Sequence, residues 1–155
     1  MAIIGIEDWI DNLSALWGFQ WNGKEIKTYK VWGRDEYPGS LDLPAAVTFV
    51  EIDAGDYSKS GGDFSIITGV TEFHLFETPD KRQVPAILPL FKQIKVEAAK
   101  NIGLGHGKEV VFYLTNDAQG RIRLVNLQWG EAIHLGLTVH WTVATNQVIQ
   151  VSITP

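Results

Sequence analysis

Leu137-Thr138-Val139-His140-Trp141-Thr142-Val143 alternates apolar and polar residues without a break, and Ile149-Gln150-Val151-Ser152-Ile153-Thr154 does so again after Thr145-Asn146-Gln147. A period of two sends every second side chain to the same face, so each stretch reads as a strand, and the two together as an antiparallel hairpin with one apolar face. From Ala132 to Pro155 there is no Asp, Glu, Lys or Arg. Uncharged edges pair with other chains unless something covers them. The hairpin is therefore expected to be central in a sheet or to face a neighbouring subunit.

Upstream, Glu109–Thr115 and Arg121–Trp129 read as another hairpin about the turn Asp117-Ala118-Gln119-Gly120. Before it, Ile87, Leu90, Phe91, Ile94, Ala98 and Ile102 recur every three or four residues opposite Lys92, Gln93, Lys95 and Lys100, which predicts an amphipathic helix ending at Gly103. Pro85 and Pro89 suit only a first turn, so regular helix is expected from near Leu88, or a kink there. Phe64 to Phe76 and Ala45 to Ile52 read as strands, and Gly69 as a bulge or bend. Trp21-Asn22-Gly23-Lys24 carries an Asn-Gly turn signal ahead of a strand from Ile26 to Trp32. Trp9, Ile10, Leu13, Leu16 and Trp17 form one stripe of an N-terminal helix over Ile6–Trp17. The expected fold is thus α/β (α+β): one domain over residues 1–155, a mixed and mostly antiparallel sheet flanked by an N-terminal and one central helix.

A chain of 155 residues, 45% hydrophobic, suffices for a core in a single domain, and with no cysteine it forms neither disulfides nor a thiolate metal site. The net charge of −5 is uneven. Residues 1–40 hold six acids and four bases (−2), residues 41–80 eight acids against Lys59 alone (−7), and residues 81–155 eight bases and four acids (+4). Such segregation suits head-to-tail contact between copies at least as well as it suits a polyanion ligand, and it disfavours a DNA-coating protein. Nothing at the N-terminus resembles a targeting signal, and no apolar run approaches the roughly 20 residues that span a bilayer. A soluble protein made in the cytoplasm is expected.

Chemistry-bearing motifs are sparse. Gly103-Leu104-Gly105-His106-Gly107-Lys108 is glycine-rich but follows a helix where a phosphate loop follows a strand, so it reads as a connector. His134 and His140, six apart, would share a strand face and allow a two-histidine metal site, although a satisfied strand histidine is the simpler reading. Asp53, Asp56 and Asp63 surround a Gly-Ser loop without the ligand register of an EF-hand. No nucleophile elbow or catalytic triad is evident, so no enzyme, cofactor or metal is expected. Of six tryptophans, helix packing and strand alternation account for Trp9, Trp17 and Trp141; Trp21, Trp32 and Trp129 remain for a sugar-binding platform or a protein interface.

Glu36-Tyr37-Pro38-Gly39-Ser40-Leu41 leading into Leu43-Pro44-Ala45-Ala46-Val47-Thr48-Phe49, preceded by an N-terminal helix and Ile26-Lys27-Thr28-Tyr29-Lys30-Val31, resembles the tail-terminator (tail-completion) proteins of long-tailed bacteriophages. Lys100-Asn101-Ile102-Gly103-Leu104-Gly105, then Leu127-Gln128-Trp129-Gly130-Glu131 and the return strand through Trp141, continue the likeness over most of the chain. The resemblance implies a virion protein of the tail or neck, whose subunits close into a homo-hexameric ring. Such a ring caps the tail tube, ends its polymerisation and meets a head-completion or stopper protein, while DNA passes through the lumen without specific binding. On that basis Asp53, Asp56 and Asp63 are lumen or rim candidates, and Trp21, Trp32, Trp129, His140 and Trp141 candidates for the subunit or tube interface. A head–tail stopper or other neck component is the neighbouring reading, and a small carbohydrate- or ligand-binding module the reading from another class.

Overall fold

A computed structural model describes residues 6–32, 39–50, 64–115 and 122–146. In chain order these form helix α1 (Ile6–Ala15), strands β1 (Gln20–Trp21), β2 (Lys24–Glu25), β3 (Lys27–Trp32), β4 (Ala45–Val50) and β5 (Phe64–Phe76), helix α2 (Val84–Lys100), and strands β6 (Val110–Leu114), β7 (Ile122–Trp129) and β8 (Ala132–Asn146). The fold is α+β. β1 and β2 make a small hairpin whose turn residues, Asn22 and Gly23, have φ of 51° and 78°, the left-handed pair that an Asn-Gly turn supplies at little steric cost. The other six strands form one sheet in the order β3-β4-β5-β8-β6, with β7 also on β8. Only β3 and β4 run parallel.

β8 is the hub of the sheet. One of its sides pairs with β5 from Leu135 to Asn146; the other pairs first with β7, from Ala132 to Val139, and then with β6, from Trp141 to Thr145. The expected hairpin of Glu109–Thr115 with Arg121–Trp129 is therefore corrected: β6 and β7 lie end to end along one edge of β8. The hairpin partner of β7 is β8, through the two-residue turn Gly130-Glu131, where Gly130 (φ 61°) holds the first central position. The expected second arm at 149–153, the strand end at Glu51-Ile52, and the turn at 117–120 lie outside the described residues.

Both helices cover one face of the sheet. α1 buries Trp9, Ile10 and Leu13, and Trp17 just beyond it, against Phe73 and Phe112, with Trp9 edge-on to Trp141 at 6.1 Å. α2 buries Ile87, Leu90, Ile94 and Ala98; Ile102, expected on the same stripe, falls past the helix end and is 52% exposed. Regular helix begins at Val84, ahead of the expected Leu88: Pro85 sits in the first turn, where its missing N–H is not needed, and Pro89 is accommodated inside the helix. Within this apolar layer runs one polar chain. Trp141 Nε1 donates to Thr71 Oγ1 at 3.1 Å, and Thr71 shares a 3.1 Å hydrogen bond with Thr48 Oγ1. The Trp9 and Trp17 Nε1 atoms are buried without partners.

Gly69 is no bulge. It keeps ladder register opposite Trp141 and Val50; a Cβ there would stand 2.6 Å from Trp141 Cη2 and 2.8 Å from the Phe49 carbonyl oxygen, so glycine makes room for the indole. The irregularity in β5 lies between His74 and Phe76, and it turns both Leu75 and Phe76 towards the helices. The opposite face of the sheet carries a second apolar cluster of Val31, Val47, Phe49 and Trp129.

Candidate functional site

Two features of the described chain carry chemistry or contact potential. The first is a polar cluster on the sheet face away from the helices. Register sets Glu72 and His74 of β5 on that face, beside Gly136 and Thr138 of β8, and places His134 diagonally from His74. The Nδ1 atoms of His74 and His134 are 2.9 Å apart, and His74 Nε2 lies 3.3 Å from Glu72 Oε1. A carboxylate accepts, so neutral His74 carries its proton on Nε2 and accepts at Nδ1 the proton of His134. Trp129 stands edge-on to His74 with ring centroids 5.3 Å apart. His74 is fully buried and His134 is 8% exposed. Burial, and next the charge of His74, hold the His134 imidazole below its ordinary range against the opposing pull of Glu77.

This Glu72–His74–His134 chain has the order of a proton relay, yet every face of His74 is covered, so no ligand reaches its ring. It is a satisfied interior cluster that ties β5 to β8. His134 and His140 do share a face of β8, but His134 is engaged with His74, as the simpler reading of a satisfied strand histidine has it. Among the described residues no group of three or more His, Asp or Glu side chains is placed to hold a metal ion.

The second feature is a cleft of about 380 Å³ between the outer flank of α2 and β6, lined by Ala98, Ala99, Ile102, Val111 and Tyr113 with Lys95 at its rim. It exists because small residues occupy that flank of the helix and because β6, among the described residues, has a strand neighbour on one side only. The central N–H of β6 on its open side, that of Phe112, donates to the Ile102 carbonyl at 2.7 Å. The cleft thus offers apolar side chains more than a bare strand edge.

The residues singled out in the sequence fall in several places. Trp21 is buried against Phe76 and donates from Nε1 to the Ala86 carbonyl at 3.0 Å, joining the β1–β2 hairpin to α2. Trp129 is 6% exposed and Trp141 fully buried, so both pack in the interior, while Trp21, also mostly buried, lines a cleft with Leu43, Pro44 and Phe76. His140 is half-buried on β8 opposite Val70. The backbone of Trp32 ends β3, and its side chain lies outside the described residues, as do Asp53, Asp56 and Asp63. Gly103–Lys108 is the helix-to-strand connector expected; Asn12 Nδ2 donates to the Leu104 carbonyl at 2.8 Å and His106 Nε2 to the Asp8 carbonyl at 2.7 Å, fixing it to α1. Sequence reasoning missed the cleft and the His74–His134 pair. The exposed Ile102 was the available signal for the cleft, hidden because it completed the helical stripe. No helix among the described residues is long and apolar enough to cross a membrane. No family model, characterised protein or solved structure matches this chain.

Proposed function

We propose that the protein is a structural assembly subunit, a ring-forming tail terminator of a long-tailed bacteriophage that caps the tail tube, stops its growth and connects it to the head-completion proteins. The observation that carries this reading is the placement of exposed apolar surface. The large apolar side chains left exposed among the described residues are Leu88, Ile102, Val111, Tyr113, Leu124 and Ile133, all on α2, its connector or the β6–β7–β8 side of the sheet; none is on α1, β3 or β4. Scattered exposure needs no explanation, but a one-sided concentration beside a cleft suits an assembly surface. The α+β subunit and the tail-terminator-like motifs support the same reading. In the ring, Asp53, Asp56 and Asp63 would give the lumen or rim an acidic lining that does not grip DNA.

Size-exclusion chromatography with light scattering and negative-stain imaging, with and without purified tail tubes, test the proposal. Six-fold rings that seat on tube ends are the expected result. Rings that bind head portals and ignore tubes would favour a stopper or other neck protein, and a strict monomer at high concentration, with tubes present, would end the assembly reading.

A further inference from the structure

Resting on that assembly reading, we infer that the α2–β6 cleft is the docking surface for the opposite edge of a second copy of this chain, the α1–β3 edge. The two edges differ in chemistry. α1 holds three acids, Glu7, Asp8 and Asp11, and no base, whereas α2 holds Lys92, Lys95 and Lys100 against the single acid Glu97. Their positions are fixed by neighbours. Asn12 is bound to the connector after α2, and Asp11 is bound to Lys30 on the edge strand β3, so the flank of α1 bearing Asp11, and Glu7 one turn before it, faces the β3 edge of the molecule. On α2, Lys92, Lys95 and Ala99, with Ile102 just past the helix end, follow one another at three- or four-residue spacing on the flank beside the buried stripe of Ile87, Leu90, Ile94 and Ala98.

A head-to-tail contact therefore brings an acidic flank to a basic one, with Ala99, Ile102, Val111 and Tyr113 losing water between them. A symmetric contact of cleft with cleft would set Lys92 and Lys95 of the two copies against each other. On the β3 edge Lys27 pairs with Asp42 and Lys30 with Asp11, so of the two acids on that flank of α1 Glu7 is the one without a partner among the described residues. Heterologous contacts of this kind close into rings when the rotation between copies allows it.

Charge exchange tests the inference. One variant carries Lys92→Glu and Lys95→Glu, another Glu7→Lys and Asp11→Lys, and circular dichroism checks that both are folded. Each alone should run as a monomer in light scattering, and the two mixed should assemble, because every contact in an alternating ring is again acid against base. Tyr113→Asp, which fills the cleft with charge, should abolish assembly in every combination. If the Lys92→Glu/Lys95→Glu variant instead associates with the unmodified protein in closed pairs, the contact is cleft to cleft and the inference is overturned. If the wild type forms rings and all variants form them equally, the seam lies elsewhere while the assembly reading stands. If the wild type does not assemble even on tubes, both fall.

Discussion

His74 and His134 share one proton across the 2.9 Å between their Nδ1 atoms, and the pair is held between Glu72 and Trp129. Burial of His134, and next the charge of His74 beside it, disfavour the charged form of His134 in the folded protein.

The consequence is a pH dependence with a defined sign. His134 titrates below its ordinary value of 6.5 in the folded chain, so near and below that value the unfolded chain binds more protons than the folded one. This contribution to stability is complete above about pH 6.5 and is lost as pH falls through the folded value. Urea midpoints measured from pH 8 to pH 5 should fall on the acid side, and His134→Asn should flatten that fall. Parallel profiles for the two proteins would show that the pair does not set it.

Two glycines should resist replacement unequally. In Gly69→Ala the new methyl meets the Trp141 ring and, 2.8 Å away, the Phe49 carbonyl oxygen, so ring and backbone must both give a little, at a cost of about 1–3 kcal/mol typical of overpacking. In Gly136→Ala it meets the Phe73 carbonyl oxygen across the β5–β8 ladder more closely than any of these, and a small shift does not relieve the clash. Thermal unfolding should therefore show a lowered midpoint for the first and little soluble folded protein for the second.

The buried hydroxyl of Thr71 serves two partners. Thr71→Val keeps the shape but leaves the Trp141 N–H with no acceptor, at a cost of about 1–3 kcal/mol, whereas Thr48→Val leaves that bond intact. Denaturant titration should rank Thr71→Val as the more damaging. Equal losses would mean that the Trp141 bond contributes nothing of its own.

Pro89 interrupts α2 from an exposed position. Alanine there restores an N–H for the Pro85 carbonyl and improves helix propensity, so Pro89→Ala should raise the melting temperature, by on the order of 1 kcal/mol of stability or more. A lowered midpoint would mean that the proline fixes a bend needed for packing.

Local features were legible in the sequence because their causes are local. The Asn22-Gly23 turn, the buried stripe Trp9-Ile10-Leu13 and the stripe of α2 each follow from backbone preference or period. Strand partnership is not local. Arg121–Trp129 and Glu109–Thr115 have the periodicity of hairpin arms, but periodicity says nothing of which edge a strand joins, and both join β8. The same holds for the contact residues. His74 and His134 meet only because the β5–β8 register makes them diagonal neighbours, and Trp129 is drawn onto His74 by the turn at Gly130. Trp21 and Trp129 looked free for a partner because nothing near them in sequence accounted for their bulk; Phe76, Ala86 and His74 do so from other elements.

The position of β8 also bears on how the chain is made. β5 leaves the ribosome well before the strand that pairs with it along its length, and β6 and β7 likewise precede the partner they share. Until Ala132–Asn146 has emerged, β5 can pair only with β4, and β6 and β7 have no ladder to join, so the sheet is completed by non-local closure. The nascent protein is consequently most prone to stray strand pairing just before β8 appears, and a chaperone that holds extended apolar chain would act in that interval.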